Sequence, residues 1–235
     1  RSFASCRERV VPLTDSQSPD EAFDAELKKR TEALETLRQE RRASTSARVR
    51  SRIGDYLQAQ LELQKYPEEG FDQIFGLGDL LPAFVHRWRD YLRDAGLRND
   101  PVFVAWHRYK AIPEEEFDQQ TAAVTAALHE LGPDQLHPRV SAAFATPPAA
   151  FSEVISRYTS IFQTVDAEWQ AELRKYESTG TAPVAGLTDP VDEQLRRLLY
   201  GPGSLCEVPD EAVIHTEYDV DSGTCNELWK LQGEV

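Results

Sequence analysis

One stretch restricts the fold of this chain more than any other. Between Pro19 and Pro67 there is no proline, and the only glycine is Gly54. Proline and glycine are the usual helix breakers, so residues 18–66 read as one long helix, possible kinks aside. At 1.5 Å per residue it would be about 70 Å long. That exceeds the diameter of a small domain, so the rest of the chain must pack along it or leave part of it bare. The start signal is strong. Ser18 suits the cap, Pro19 the first helical position, and Glu21 completes a capping box.

Apolar spacing divides the helix in two. Phe23, Leu27, Leu34 and Leu37 form a thin stripe in its first half. From Val49 the stripe widens through Ile53, Tyr56, Leu57 and Leu61. The first half is therefore expected to project, and the second to enter the core. Ser44-Thr45-Ser46 between them is the expected kink.

The remainder reads as mainly α, a helical bundle with little or no sheet. Residues 1–17 form an irregular lead-in, 67–180 a helical core, and 181–235 a linker, a short helix, a loop and the start of a terminal helix. Helices are expected from Pro82 to a stop at Gly96, from Pro113 to Gly132, briefly near 138–145, from Pro148 to Tyr176, and from Pro190 to Tyr200. The 148–176 segment has the clearest amphipathic face, from Phe151 to Tyr176, and should lie antiparallel to the Val49–Leu63 half. Aromatic density from Phe71 to Tyr109 marks the core. AVIHTEYDV at 212–220 reads as a candidate strand with no obvious partner.

Composition limits the function classes. The net charge is −14, with 40 acidic and 26 basic residues. That argues against a nucleic-acid partner, which needs clustered cations on phosphates, and against an anionic membrane surface. No apolar run reaches membrane-spanning length, and no basic-then-apolar signal segment opens the chain. The sequence starts at Arg1 and contains no Met, which reads as a processed or partial chain. Cys6, Cys206 and Cys225 are the three cysteines. A Cys206–Cys225 or Cys6–Cys206 disulfide competes with three free thiols. With no CxxC or CxxCH, neither a redox dithiol nor haem attachment is indicated.

No motif defines a reaction. His86, His107, His129, His137 and His215 show no HxxxH spacing. Asp219-Val-Asp221-Ser-Gly223 resembles the opening of a calcium loop. Such a loop needs glycine at position six and a bidentate glutamate at twelve, where Thr224 and Lys230 stand. These carboxylates fit a helix cap better. Glu114, Glu115, Glu116 and Asp118 suit dipole compensation at a helix start. GLGD and GPGS make no phosphate loop, and there is no GxSxG. Arg38, Arg41, Arg42, Arg48, Arg50 and Arg52 put six cations into fifteen residues. They read as an anion or nucleic-acid patch or, better in keeping with the net charge, as a solvated face partly paired with Glu35 and Glu40; an acidic partner domain elsewhere in a longer chain is a third reading. No catalytic, cofactor-binding or metal residue is assigned.

Four stretches carry a family resemblance: FASC at 3–6, RIGDYLQAQLELQKY at 52–66, LLYGPGSLCEVPDE at 198–211 and DSGTCNELWKLQGEV at 221–235. Together they resemble planctomycete exported multidomain proteins that carry a planctomycete-type cytochrome c domain and two planctomycete-specific domains of unknown function. The chain is similar to the helical region between those two domains. The resemblance implies an envelope or extracellular setting, flanking domains as partners, a disulfide favoured by that setting, and haem c in a neighbouring domain only. Three functions follow as expectations. The first is a non-catalytic spacer and docking segment. The second is a share in an enzymatic or redox assembly completed by other domains. The third is a helix-pairing oligomerisation module with Phe23–Leu37 as its seam.

Overall fold

A computed structural model describes residues 21–67, 73–180 and 185–235. Among them the regular structure is helical, and no strand forms. The helices are α1 (Glu21–Ser51), α2 (Ile53–Ala59), α3 (Pro82–Arg98), α4 (Val104–Lys110), α5 (Phe117–His129), α6 (Pro138–Ala143), α7 (Phe151–Thr179), α8 (Pro190–Leu199), α9 (Val213–Thr216) and α10 (Ser222–Gln232). Short 3-10 turns at Leu63–Lys65, Glu114–Glu116 and Glu217–Asp219 join them. The mainly α reading therefore holds. The supposed strand at 212–220 is instead α9 and a 3-10 turn. Without a neighbouring strand, its backbone groups find partners only within their own turn.

The long stretch does break, but not at Ser44-Thr45-Ser46. Those residues lie inside α1, and Thr45 and Ser46 are buried. Their hydroxyls do not unwind the helix. Ser44 bonds the Arg41 carbonyl at 3.0 Å, and Ser46 accepts the Val208 N–H at 2.9 Å. The break is at Arg52, which leaves helical geometry (φ −108°, ψ 21°). Its guanidinium is held by the Gly78 carbonyl at 2.7 Å and the Asp55 carboxylate at 2.8 Å.

After the break α2 enters the core antiparallel to α7, the expected pairing. Three contacts fix the direction. Arg50 reaches Asp166 at 3.9 Å, Gly54 backs onto Thr159, and Gln58 and Leu61 line a cleft with Phe151. A Cβ on Gly54 would sit 2.8 Å from the Thr159 hydroxyl. The one glycine of the stretch therefore marks a close helix crossing.

The core runs from Val49 to Val220. Tyr158 is its hub. Phe103 stacks on it at 5.5 Å, and its hydroxyl donates to the Val102 carbonyl at 2.7 Å while accepting the Trp106 N–H at 3.1 Å. Trp88 meets Phe162 edge-on at 5.8 Å. Edge-on and offset contacts suit the ring quadrupoles. Gly96 is not the end of α3, which runs to Arg98 and closes on Asn99 in the left-handed region (φ 52°). Asparagine tolerates that region better than other non-glycine residues. At α8, Asp189 caps as expected, accepting the Val191 N–H at 2.8 Å.

The projecting arm is shorter than the sequence implies. Residues 23–33 are exposed, about 16 Å of helix. From Leu34 onward the C-terminal part of the chain covers α1. The Ser18 capping box lies outside the described residues.

Candidate functional site: an arginine-lined seam

The site begins with helical geometry. Positions 30, 34, 37, 41, 45 and 48 follow three- and four-residue spacing, so they share one face of α1. That face carries arginines at its ends and middle, with Leu34 and Leu37 half-buried between them. Along it lies α10, running the opposite way. Arg48 holds Asp221 at 3.2 Å, Arg41 grips Glu227 through two bonds of 2.8 and 3.1 Å, and Arg30 reaches the Glu234 carbonyl at 2.8 Å. A forked guanidinium on a carboxylate fixes orientation as well as distance.

Beside this face, residues 207–211 cross α1 as irregular chain. Ser46 accepts the Val208 N–H, and Arg42, one turn earlier, donates to the Val208 carbonyl at 2.8 Å. One peptide residue is thus bonded on both sides by α1. Arg38 binds the Asp210 carboxylate at 2.7 Å and the Glu211 carbonyl at 2.8 Å. Arg50 binds Glu207 at 2.6 Å and lies 4.1 Å over the Tyr200 ring. From α3, Arg87 adds the Glu207 carbonyl at 2.9 Å and the Asp219 carboxylate at 2.5 Å. Tyr200 in turn hydrogen-bonds Asp166 and receives Gln170 at 2.8 Å.

The electrostatics agree with the geometry. Residues 201–235 hold eight carboxylate side chains and one lysine, so they complement the arginines of 38–52. The Arg38 guanidinium hydrogen-bonded to Asp210 holds that carboxyl below its usual range. Burial would raise Asp221. The Thr224 N–H and hydroxyl, with Arg48, outweigh it and leave Asp221 lowered. Asp221 accepts the Thr224 N–H at 3.0 Å, which makes it the N-cap of α10. The calcium-loop resemblance thus resolves into a cap.

The arginine face is therefore not mainly a solvated one. Glu35 does bind Arg38 at 2.8 Å and Asp55 binds Arg52, but Arg38, Arg41 and Arg50 also reach carboxylates more than 150 residues along the chain. The acidic partner is within the chain itself. Only the complementary charge of the two segments could have signalled this in the sequence.

The other candidates do not converge. Glu114, Glu115, Glu116, Asp118 and His215 stand on open surface. His86 donates to the Tyr66 carbonyl at 2.8 Å, His129 to Phe144 at 3.0 Å, and His137 to Val191 at 3.0 Å, each on a different element. Among the described residues no group of three potential metal ligands forms. A cleft of about 800 Å³ opens beside α2, but its Arg52 and Lys65 are already paired with Asp55 and Glu62.

Cys206 and Cys225 stand as free thiols, so the Cys206–Cys225 bridge is not formed. Cys206 is fully buried, and burial pushes its pKa up to about 12. A thiol kept protonated this way packs as a small apolar group. Cys6 lies outside the described residues. The pairing seam expected at Phe23–Leu37 is already half occupied by α10, leaving Phe23 and Leu27 exposed at 64% and 36%.

Among the described residues no helix is long and apolar enough to cross a membrane. No protein-family model matches this chain, and no curated protein or solved structure matches it either.

Proposed function

We propose that this chain is a non-catalytic helical docking segment of a larger exported multidomain protein. The observation that carries the reading is the exposed arm at residues 23–33, where, among the described residues, Arg30 alone is bonded to the C-terminal segment. Its ion pairs are internal, Glu26 with Arg30 at 2.8 Å and Lys28 with Glu32 at 3.8 Å. Its stripe of Phe23 and Leu27 is open to solvent. Such a rigid helix, charged on its flanks and apolar along one line, suits a helix-in-groove contact. The exported, multidomain setting rests on the family resemblance alone.

The geometry favours docking over separation. Because α10 runs back along α1, Glu234 lies beside Arg30. Domains attached before α1 and after α10 would leave from the same end of the molecule. A shared enzymatic or redox role draws no support from Glu114, Glu115, Glu116, Asp118 or His215, which are exposed; Glu114 and Asp118 share the rim of one open cleft with Lys110, and no histidine joins them there.

Small-angle scattering tests the arm. A compact chain of 235 residues has a radius of gyration of about 17 Å. The reading expects a clearly larger value and an elongated distance distribution. A value near 17 Å with a symmetric distribution would overturn it.

A further inference from the structure

We infer that α10 is an ionically held lid over the α1 seam, opening as a unit while the helical body stays folded. The inference rests on how unevenly the C-terminal segment is anchored. Leu205, Cys206, Val208 and Val220 belong to the contiguous core. Helix α10 does not share that anchorage. Its one fully covered large side chain, Leu228, is buried outside the core cluster, and Cys225 only borders it. Trp229 is 36% exposed.

What holds α10 is mostly polar. The Arg41–Glu227 pair is 39% and 46% exposed. Arg48–Asp221 is better covered, and Arg30 contributes a bond to a backbone carbonyl. Exposed pairs are weak and screened by salt. A helix of 11 residues has little stability of its own. Elements with few apolar contacts and exposed polar ones open first. The fixed end of the lid is visible too. Phe75 and Ser222 exchange two bonds of 2.9 Å, and Arg87 holds Asp219.

Opening would uncover Leu34, Leu37 and Arg41, while Arg48 stays with Asp221 at the fixed end. These join the bare Phe23 and Leu27 in one continuous face. A helix that sets an apolar stripe and a carboxylate against that face fits it, as α10 does with Leu228 and Glu227. The lid regulates access to the surface proposed for docking, but its evidence is separate. A compact scattering envelope would remove the docking reading and leave the lid untouched.

Hydrogen exchange on the full chain, followed by mass spectrometry at 0.05 and 0.5 M NaCl, tests the lid. Amides of 224–232 should lose about two- to fivefold in protection at high salt. Amides of 154–165 in α7 should not change. Glu227→Gln should raise α10 exchange about two- to fivefold at low salt and abolish part of its salt response. Glu32→Gln, an exposed control on α1, should leave α10 unchanged. If α10 and α7 exchange with equal protection, or if α10 ignores both salt and Glu227→Gln, there is no lid.

Discussion

Gly54→Ala should destabilise the protein, although alanine is the better helix former. In an open helix the change gains about 1 kcal/mol from propensity. Here the new Cβ would stand 2.8 Å from the Thr159 hydroxyl and 3.1 Å from its methyl. Thr159 cannot swing away freely. It is β-branched, and its hydroxyl donates to the Ile155 carbonyl at 2.8 Å. Overpacking costs about 1–3 kcal/mol, so the balance is a loss of about 1 kcal/mol. Thr159→Ala removes the clashing atoms and leaves its Cβ 3.6 Å away, an ordinary contact. The double variant should therefore recover the loss, with a coupling of about 2 kcal/mol in a double-mutant cycle. Urea unfolding followed by circular dichroism gives all four stabilities. A Gly54→Ala protein more stable than the parent, or strictly additive changes, would refute the close crossing of α2 and α7.

Two other substitutions probe the seam and the acid response. Ser46→Ala strands the buried Val208 N–H that Ser46 now accepts. It should cost about 1–3 kcal/mol in urea unfolding, while Ala at exposed Ser44 should cost far less. Glu193 is lowered to about 2, first by its hydrogen bond to Arg196 and then by Arg197 and the Leu187 N–H, against burial that raises it. Its folded pKa lies below the unfolded value, so its contribution is full above about pH 4.5 and is lost as pH falls towards 2. Glu193→Gln should flatten stability against pH in that window, by at most about 3 kcal/mol. An unchanged acid limb would show that the Glu193–Arg196 pair is not formed.

Legibility followed the range of the interactions. Helix α7 was plain because Phe151 through Tyr176 repeat a local period that burial then uses. Its antiparallel partner was readable from the widening stripe after Val49. The break was misplaced because a serine–threonine run inside a helix has two outcomes. Its hydroxyls can bond their own backbone and loosen it, or, as with Ser46, bond a distant chain and stay. The 212–220 segment misled because short apolar alternation does not separate a strand from a single helical turn. Most of the seam was out of reach. Arginines at 38–52 and carboxylates at 207–227 are visible in the sequence only as an inventory of charge. Which meets which depends on α7 and α3 first bringing the two stretches together.

That same separation sets a clock on synthesis. Arg41 and Glu227 are 186 positions apart. At roughly 5–20 residues per second, the arginine face of α1 would wait about 10–40 s on the ribosome before its carboxylates are made. Throughout that interval a cationic helix with a leucine stripe is uncovered. Contacts of such long sequence separation close late and slow folding. The nascent chain should therefore be most vulnerable to stray acidic partners before residues 207–234 emerge, and an electrostatic screen or a holding chaperone would act then.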